Sequence, residues 1–117
     1  MLFVCYPRCT TCRRARELLL ERGLTFQERD IKKDNPAEEE LRRWHEKSGL
    51  PLRRFWNTSG RPYRELGLKD KLPSMTEEEQ YRLLSTDGML VRRPILVSED
   101  FVLVGFDEAE WEKAFSK

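Results

Sequence analysis

Apolar positions fall along this chain in two rhythms, and the switches between them mark its elements. Leu2, Phe3, Val4, Cys5 and Tyr6 form an unbroken apolar run that suits a buried strand. Pro7 ends it, because proline has no N–H to give to a ladder. From Thr10 the spacing turns helical. Cys12, Ala15 and Leu19 recur at i, i+3 and i+7 with Leu18 beside them, which predicts a helix over 10–22. Gly23 is the expected residue after its end. Leu24–Ile31 carries an alternating stretch and reads as a second strand. Strand, helix, strand makes a βαβ unit, so the two strands are predicted to be parallel with a right-handed crossover.

A run of short helical signals follows. Asn35 reads as an N-cap, Pro36 as the first helical residue and Glu38 as its N3 partner. Leu41, Trp44 and Ser48 would line one face of that helix, and Gly49 would end it. His45, the single histidine, stands among Arg42, Arg43, Glu46 and Lys47 and reads as part of a solvated flank. Arg53–Trp56 predicts a brief turn, 57–60 a loop, and Pro62–Leu66 a short helix stopped by Gly67. Thr76 and Glu79 form a capping box for a helix to about Ser85, with Tyr81 and Leu84 inward. Asp87-Gly88 then turns the chain. Ile95–Val97 and Val102–Val104 flank the hairpin loop 98–101. Asp107, with Glu110 at N3, caps a last helix whose apolar face is Trp111, Ala114 and Phe115. The order β-α-β, helices, β-β-α predicts an α/β fold with a four-stranded mixed sheet in the thioredoxin-like layout. One domain over 1–117 is expected, with a helical insertion at about 35–88. In that layout Pro94 would stand beside Cys9, and Arg93–Pro94 is predicted to be cis.

Composition narrows the function classes. The chain has 117 residues, 38% hydrophobic and 37% charged, enough for one core under a heavily charged surface. With 22 basic and 21 acidic residues its net charge is +1, so no global field favours nucleic acid or an anionic membrane. Basic residues do concentrate at 8–16, 42–54 and 92–93, which leaves room for a local anion site. The apolar runs are too short to span a bilayer, and no secretory signal is read at the start, so a cytoplasmic protein is expected. In that compartment a CxxC pair favours redox use over a structural disulfide.

Cys9 falls at the mouth of the first predicted helix, and Cys12 one turn further in. A thiolate there meets the positive end of the helix dipole and unpaired backbone N–H groups. Arg8, Arg13, Arg14 and Arg16 add positive charge where first turns usually carry Asp or Glu. Both effects lower the Cys9 pKa below the free-thiol value of about 8.5. Residues three apart on a helix lie about 5–6 Å apart, within reach of a disulfide. Cys9 is therefore the expected attacking thiol and Cys12 the resolving one, with the backbone N–H groups of Thr10 to Cys12 receiving negative charge. Two other readings stay open. CxxC is also half of a zinc site, for which only Cys5 and His45 remain as further ligands, and cysteines also serve as inert core residues. For Cys5, in mid-strand, a buried small hydrophobe is the expected role.

The segments Tyr6–Ala15, Asn57–Gly60, Tyr63–Leu68, Arg92–Ile95 and Val104–Phe106 together resemble the glutaredoxin-type arsenate reductase and Spx family over nearly the whole chain. The resemblance implies a thioredoxin-like fold, a nucleophilic or redox-active Cys9 and a functional Arg93. The arsenate reductases of that family grip the oxyanion with several arginines. Arg93 matches one; Asn57 stands at the place of the mid-chain one and Gly105 near that of the late one. Arg8, Thr10, Thr11, Arg13, Asn57, Arg92 and Pro94 are the further expected substrate-contact residues. The implied substrate is a small oxyanion or a disulfide, with no bound cofactor and with glutathione/glutaredoxin or thioredoxin as external reductant. The Spx branch implies a different role, a redox switch that binds the RNA polymerase α subunit. A monomer is expected.

Overall fold

The computed structural model describes residues 1–116. Strand β1 (Leu2–Cys5) leads through helix α1 (Thr10–Glu21) to strand β2 (Gln27–Asp30). Helices α2 (Glu38–Ser48), α3 (Arg61–Glu65), α4 (Leu68–Lys71) and α5 (Glu77–Leu84) come next, with 3-10 turns at Leu52–Phe55, Leu72–Ser74 and Gly88–Leu90. Strands β3 (Ile95–Val97) and β4 (Val102–Val104) and helix α6 (Glu108–Phe115) complete the order. The sheet runs β2-β1-β3-β4. β1 pairs parallel with β2 and antiparallel with β3, and β3 pairs antiparallel with β4. This is the mixed four-stranded α/β sheet that the order of elements predicts, and Arg93–Pro94 is cis.

Strand alternation assigns each side chain to one of two cores. Val4, Ile95, Val102 and Val104 face Leu41, Trp44, Phe55, Trp56, Tyr81 and Leu84 from the helical block. Phe3, Cys5, Leu96 and Leu103 face Cys12, Ala15, Leu18 and Leu19 of α1 and Trp111 of α6. Burial of each such aliphatic or aromatic side chain is worth about 1.5–3 kcal/mol. Trp111 is fully buried and satisfies its indole by donating to the Gly105 carbonyl at 3.0 Å. All three cysteines thus belong to the α1/α6 side of the sheet, with Cys9 packed at its margin.

Three local expectations are corrected. Helix α2 begins at Glu38 with Ala37 as N-cap, where an Asn35 cap and Pro36 at N1 were expected. The cause is Arg29 on β2. Its guanidinium takes the carbonyls of Asp34 (2.8 Å) and Asn35 (3.2 Å), which holds both out of the helix. It also pairs with Glu40 at 2.7 Å, and Glu40 accepts from the Ala37 N–H. The Asn35 amide donates instead to the Ser85 carbonyl at 2.5 Å. The second correction concerns β2, which holds only Gln27–Asp30 as a polar edge strand, while Leu24 and Phe26 pack into the core beside it. The third is His45. It is half-buried, with Nδ1 2.6 Å from the Tyr81 hydroxyl and its ring edge-on to Phe55, so it ties α2 to α5 rather than lying on a solvated flank.

Candidate active site

Cys9 is the N-cap of α1, with extended backbone (φ −86°, ψ 123°). The turn is fixed by the Cys9 N–H donating to the Tyr6 carbonyl at 2.9 Å and by the Arg13 N–H donating to the Cys9 carbonyl at 3.1 Å. No side chain caps this helix, and its first turn holds no acidic residue. The orphan N–H groups of the first turn therefore remain open to the sulfur. Partial burial is the strongest single influence on the Cys9 thiol and opposes ionisation. The Cys12 N–H, the Cys12 thiol, the Thr11 N–H and the Arg93 charge together outweigh it, and the Cys9 pKa lies below the ordinary thiol value.

Cys12 behaves in the opposite way. It is fully buried, with its sulfur 3.3 Å from the Tyr6 N–H. Its pKa is pushed far up, first by holding its proton in a hydrogen bond to Cys5, then by burial and by the neighbouring Cys9 sulfur. The two thiols are thus biased in opposite directions, Cys9 toward its thiolate and Cys12 toward its protonated form.

The wall facing Cys9 is built from two segments distant in sequence. Trp56 and Val91 form an isolated antiparallel bridge. The Asn57 N–H donates to the Leu90 carbonyl at 2.8 Å and the Arg92 N–H to the Phe55 carbonyl at 2.9 Å. The loop after Trp56 and the approach to β3 are thereby locked together. The result is a cleft of about 340 Å³ lined by Cys9 and Thr11 on one side and Trp56–Ser59, Arg92, Arg93, Gly105 and Phe106 on the other. Arg93 lies over the Tyr6 ring at 5.4 Å and donates to the Met89 and Val91 carbonyls at 3.4 and 3.5 Å. Among the described residues, no carboxylate pairs with Arg92 or Arg93. Gly105 has φ +74°, and a Cβ there would meet Arg92 Nε at 2.5 Å, so its bareness makes room for that guanidinium.

Of the expected site residues, Cys9, Thr11, Asn57, Arg92 and Arg93 line this one cleft, and Cys12 lies beneath Cys9. Pro94 is buried behind it, its carbonyl accepting from the Gly105 N–H at 2.8 Å. Thr10 and Arg13 are exposed on α1 and are not among the lining residues. Arg8 lines a separate hollow with Asp30, Lys32 and Lys33. Trp56, Thr58, Ser59 and Phe106 join the site without having been expected as contact residues; the sequence signals near them were the loop composition of 57–60 and the family-like segments 57–60 and 104–106. A larger hollow of about 420 Å³, between Lys47–Leu50, the β3–β4 hairpin and α6, has no sulfur in its lining. No helix of the described residues is long and apolar enough to cross a membrane.

Comparison with known proteins agrees with this fold. An ArsC-family-related protein from Bacteroides fragilis, of known crystal structure, superposes with a TM-score of 0.93 at 54% identity, over 96% of this chain and 94% of that one. The uncharacterised protein YusI of Bacillus subtilis is 48% identical over 113 residues, 97% of this chain and 96% of its own length. The global transcriptional regulator Spx of Bacillus subtilis is 30% identical over 104 residues, 89% of this chain and 78% of its own length. The ArsC family profile matches residues 5–114, and the chain belongs to that family.

Proposed function

We propose that this protein is a thiol-dependent oxidoreductase of the arsenate-reductase type, with Cys9 as nucleophile and Cys12 as resolving thiol. The observation that carries the reading is one cleft holding a low-pKa sulfur, two first-turn N–H groups and two guanidiniums without carboxylate partners. With a disulfide substrate, the Cys9 thiolate attacks one sulfur, and the other leaves as a thiolate. Cys12 then gives up its proton and attacks Cys9 Sγ, releasing the substrate's remaining thiol and closing the Cys9–Cys12 disulfide. With an oxyanion, Cys9 Sγ bonds the central atom as one of its oxygens is protonated and leaves as water. Cys12 then attacks Cys9 Sγ, the bond from Cys9 Sγ to that atom breaks, and the atom departs with the electron pair, reduced by two electrons as the Cys9–Cys12 disulfide closes. Charge-assisted bonds from Arg93 and Arg92 hold the anionic group. Arg92 lies across Gly105 and brings a guanidinium to that corner, and the Asn57 amide contributes a neutral donor. Glutathione/glutaredoxin or a thioredoxin-like dithiol of the cytoplasm restores the dithiol state.

Similarity to Spx favours a second reading, in which the same dithiol is a sensor and a polymerase subunit is the partner. The two are separated by assaying arsenate and a glutathionylated peptide beside capture of the RNA polymerase α subunit. Turnover that vanishes in Cys9→Ser, without polymerase capture, supports the enzyme. Capture that follows the oxidation state, without turnover of either substrate, overturns it in favour of the sensor.

A further inference from the structure

The proposed chemistry uses two of the three sulfurs, yet the third is not isolated from them. Cys5 ends β1 with its side chain on the α1 side of the sheet, fully buried against Cys12. The Cys12 sulfur accepts from the N–H of Tyr6, the residue after Cys5, at 3.3 Å. Cys5 and Cys12 belong to one buried cluster, and Cys9 packs against it. Cys12 thus has one S–H proton and two sulfur neighbours. A cation is also aimed at Cys5. Arg16 Nη2 lies 3.6 Å from Cys5 Sγ, and the same guanidinium is held by Glu28 at 2.7 and 2.9 Å and packs 6.0 Å from the Phe3 ring. A simple buried hydrophobe needs no guanidinium against its sulfur.

We propose that Cys5 is a third redox thiol, and that the Cys9–Cys12 disulfide exchanges internally to a Cys5–Cys12 disulfide. Cys5 Sγ attacks Cys12 Sγ; the Cys5–Cys12 bond forms, the Cys9–Cys12 bond breaks, and the electron pair leaves on Cys9 as its thiolate. The Cys5 proton passes to solvent or to the departing sulfur. The exchange is isoelectronic: the chain stays oxidised by two electrons, and an external dithiol is still needed to reset it. Arg16 acts as a positioning residue that favours the thiolate form of Cys5, the form able to attack. In the reduced chain the hydrogen bond from Cys12, and after it the Arg16 charge, hold the Cys5 thiol below its ordinary value against burial and Glu28; once Cys12 is in the disulfide, the Arg16 contact is the one that remains. The oxidised protein then keeps a free Cys9 at the cleft with its disulfide stored in the core. A reductant reaches that stored bond only by reversal through Cys9.

This inference rests on the redox reading above, and peptide mapping separates the two. Trypsin cuts after Arg8 and Arg13, so Cys5 falls in peptide 1–8 and both Cys9 and Cys12 in peptide 9–13. The full chain is oxidised with one equivalent of diamide, alkylated with iodoacetamide under native conditions, then digested without reduction. The expected product is peptide 1–8 joined to 9–13 through Cys12, with Cys9 alkylated. In Cys5→Ala the oxidised chain is expected to carry only a loop within 9–13, with Cys9 labelling lost. In Cys9→Ser, which cannot form the exchanging bond and leaves two fully buried thiols, the Cys5–Cys12 link is expected to be lost, and its formation at the wild-type rate overturns the exchange. Arg16→Met is expected to slow the joined product several-fold while the loop appears at an unchanged rate. A loop within 9–13 as the sole wild-type product, or a Cys5–Cys9 link, overturns the inference and leaves the two-thiol reading standing. Absence of any disulfide overturns both.

Discussion

Helix α5 opens on Thr76, whose hydroxyl accepts from the Glu79 N–H while the Glu79 carboxylate accepts from the Thr76 N–H, and Glu77, Glu78 and Glu79 fill its first turn. Helix α1 opens on Cys9 with no side-chain cap and no acid in its first turn. Both helices bury an apolar face against the same sheet, from opposite sides. In α5 the positive helix end is neutralised by the chain's own carboxylates, which stabilises the helix. In α1 it is left for a sulfur anion and for whatever that sulfur binds. The contrast separates a helix start closed by its own side chains from one left open beside a sulfur, as the proposed chemistry requires.

Substitutions on the two sides should therefore act on different observables. The largest effect is expected for Cys9→Ser, which removes the attacking sulfur and should take thiol-dependent turnover to the uncatalysed background; retained turnover in a stopped-flow assay would break the assignment. Leu84→Ala, in the fully buried core against α2, should cost about 2–5 kcal/mol in denaturant unfolding and leave the Cys9 titration where it was. Thr76→Ala removes one cap and should cost about 0.5–2 kcal/mol, again without moving Cys9. Thr10→Glu sharpens the contrast most finely, because it gives α1 the acid that α5 has. It should stabilise the helix by about 0.3–1 kcal/mol and raise the Cys9 pKa, so Tm and thiolate reactivity should move in opposite directions.

The legible parts of the sequence were those whose signals are local. The Cys9–Cys12 spacing at a strand-to-helix turn, the Thr76–Glu79 box, the Asp107 cap on the Glu110 N–H and the hairpin at 98–101 all use partners within a few residues. The parts that were not legible depend on partners brought by the fold. Asn35 looks like a cap until Ser85, fifty positions away, takes its amide, and His45 looks solvated until Tyr81 closes on it. Arg8 and Arg13 are near Cys9 in sequence, but the guanidiniums that line its cleft are Arg92 and Arg93, delivered by the bridge between Trp56 and Val91. Cys5 carries no sequence mark of its contact with Arg16, because strand and helix meet only in the packed sheet.

The depressed Cys9 pKa also fixes a pH dependence. Because the folded value lies below the unfolded one, ionisation of Cys9 adds stability that is fully present above the unfolded thiol pKa and is lost as pH falls through the folded value. The most direct test of the account is the thiolate ultraviolet absorbance of the reduced protein as a function of pH, read as the difference between wild type and Cys9→Ser. The account predicts a Cys9 step with its midpoint clearly below the ordinary thiol value of about 8.5, moving up in Arg93→Met. A Cys9 step at or above that value would contradict it.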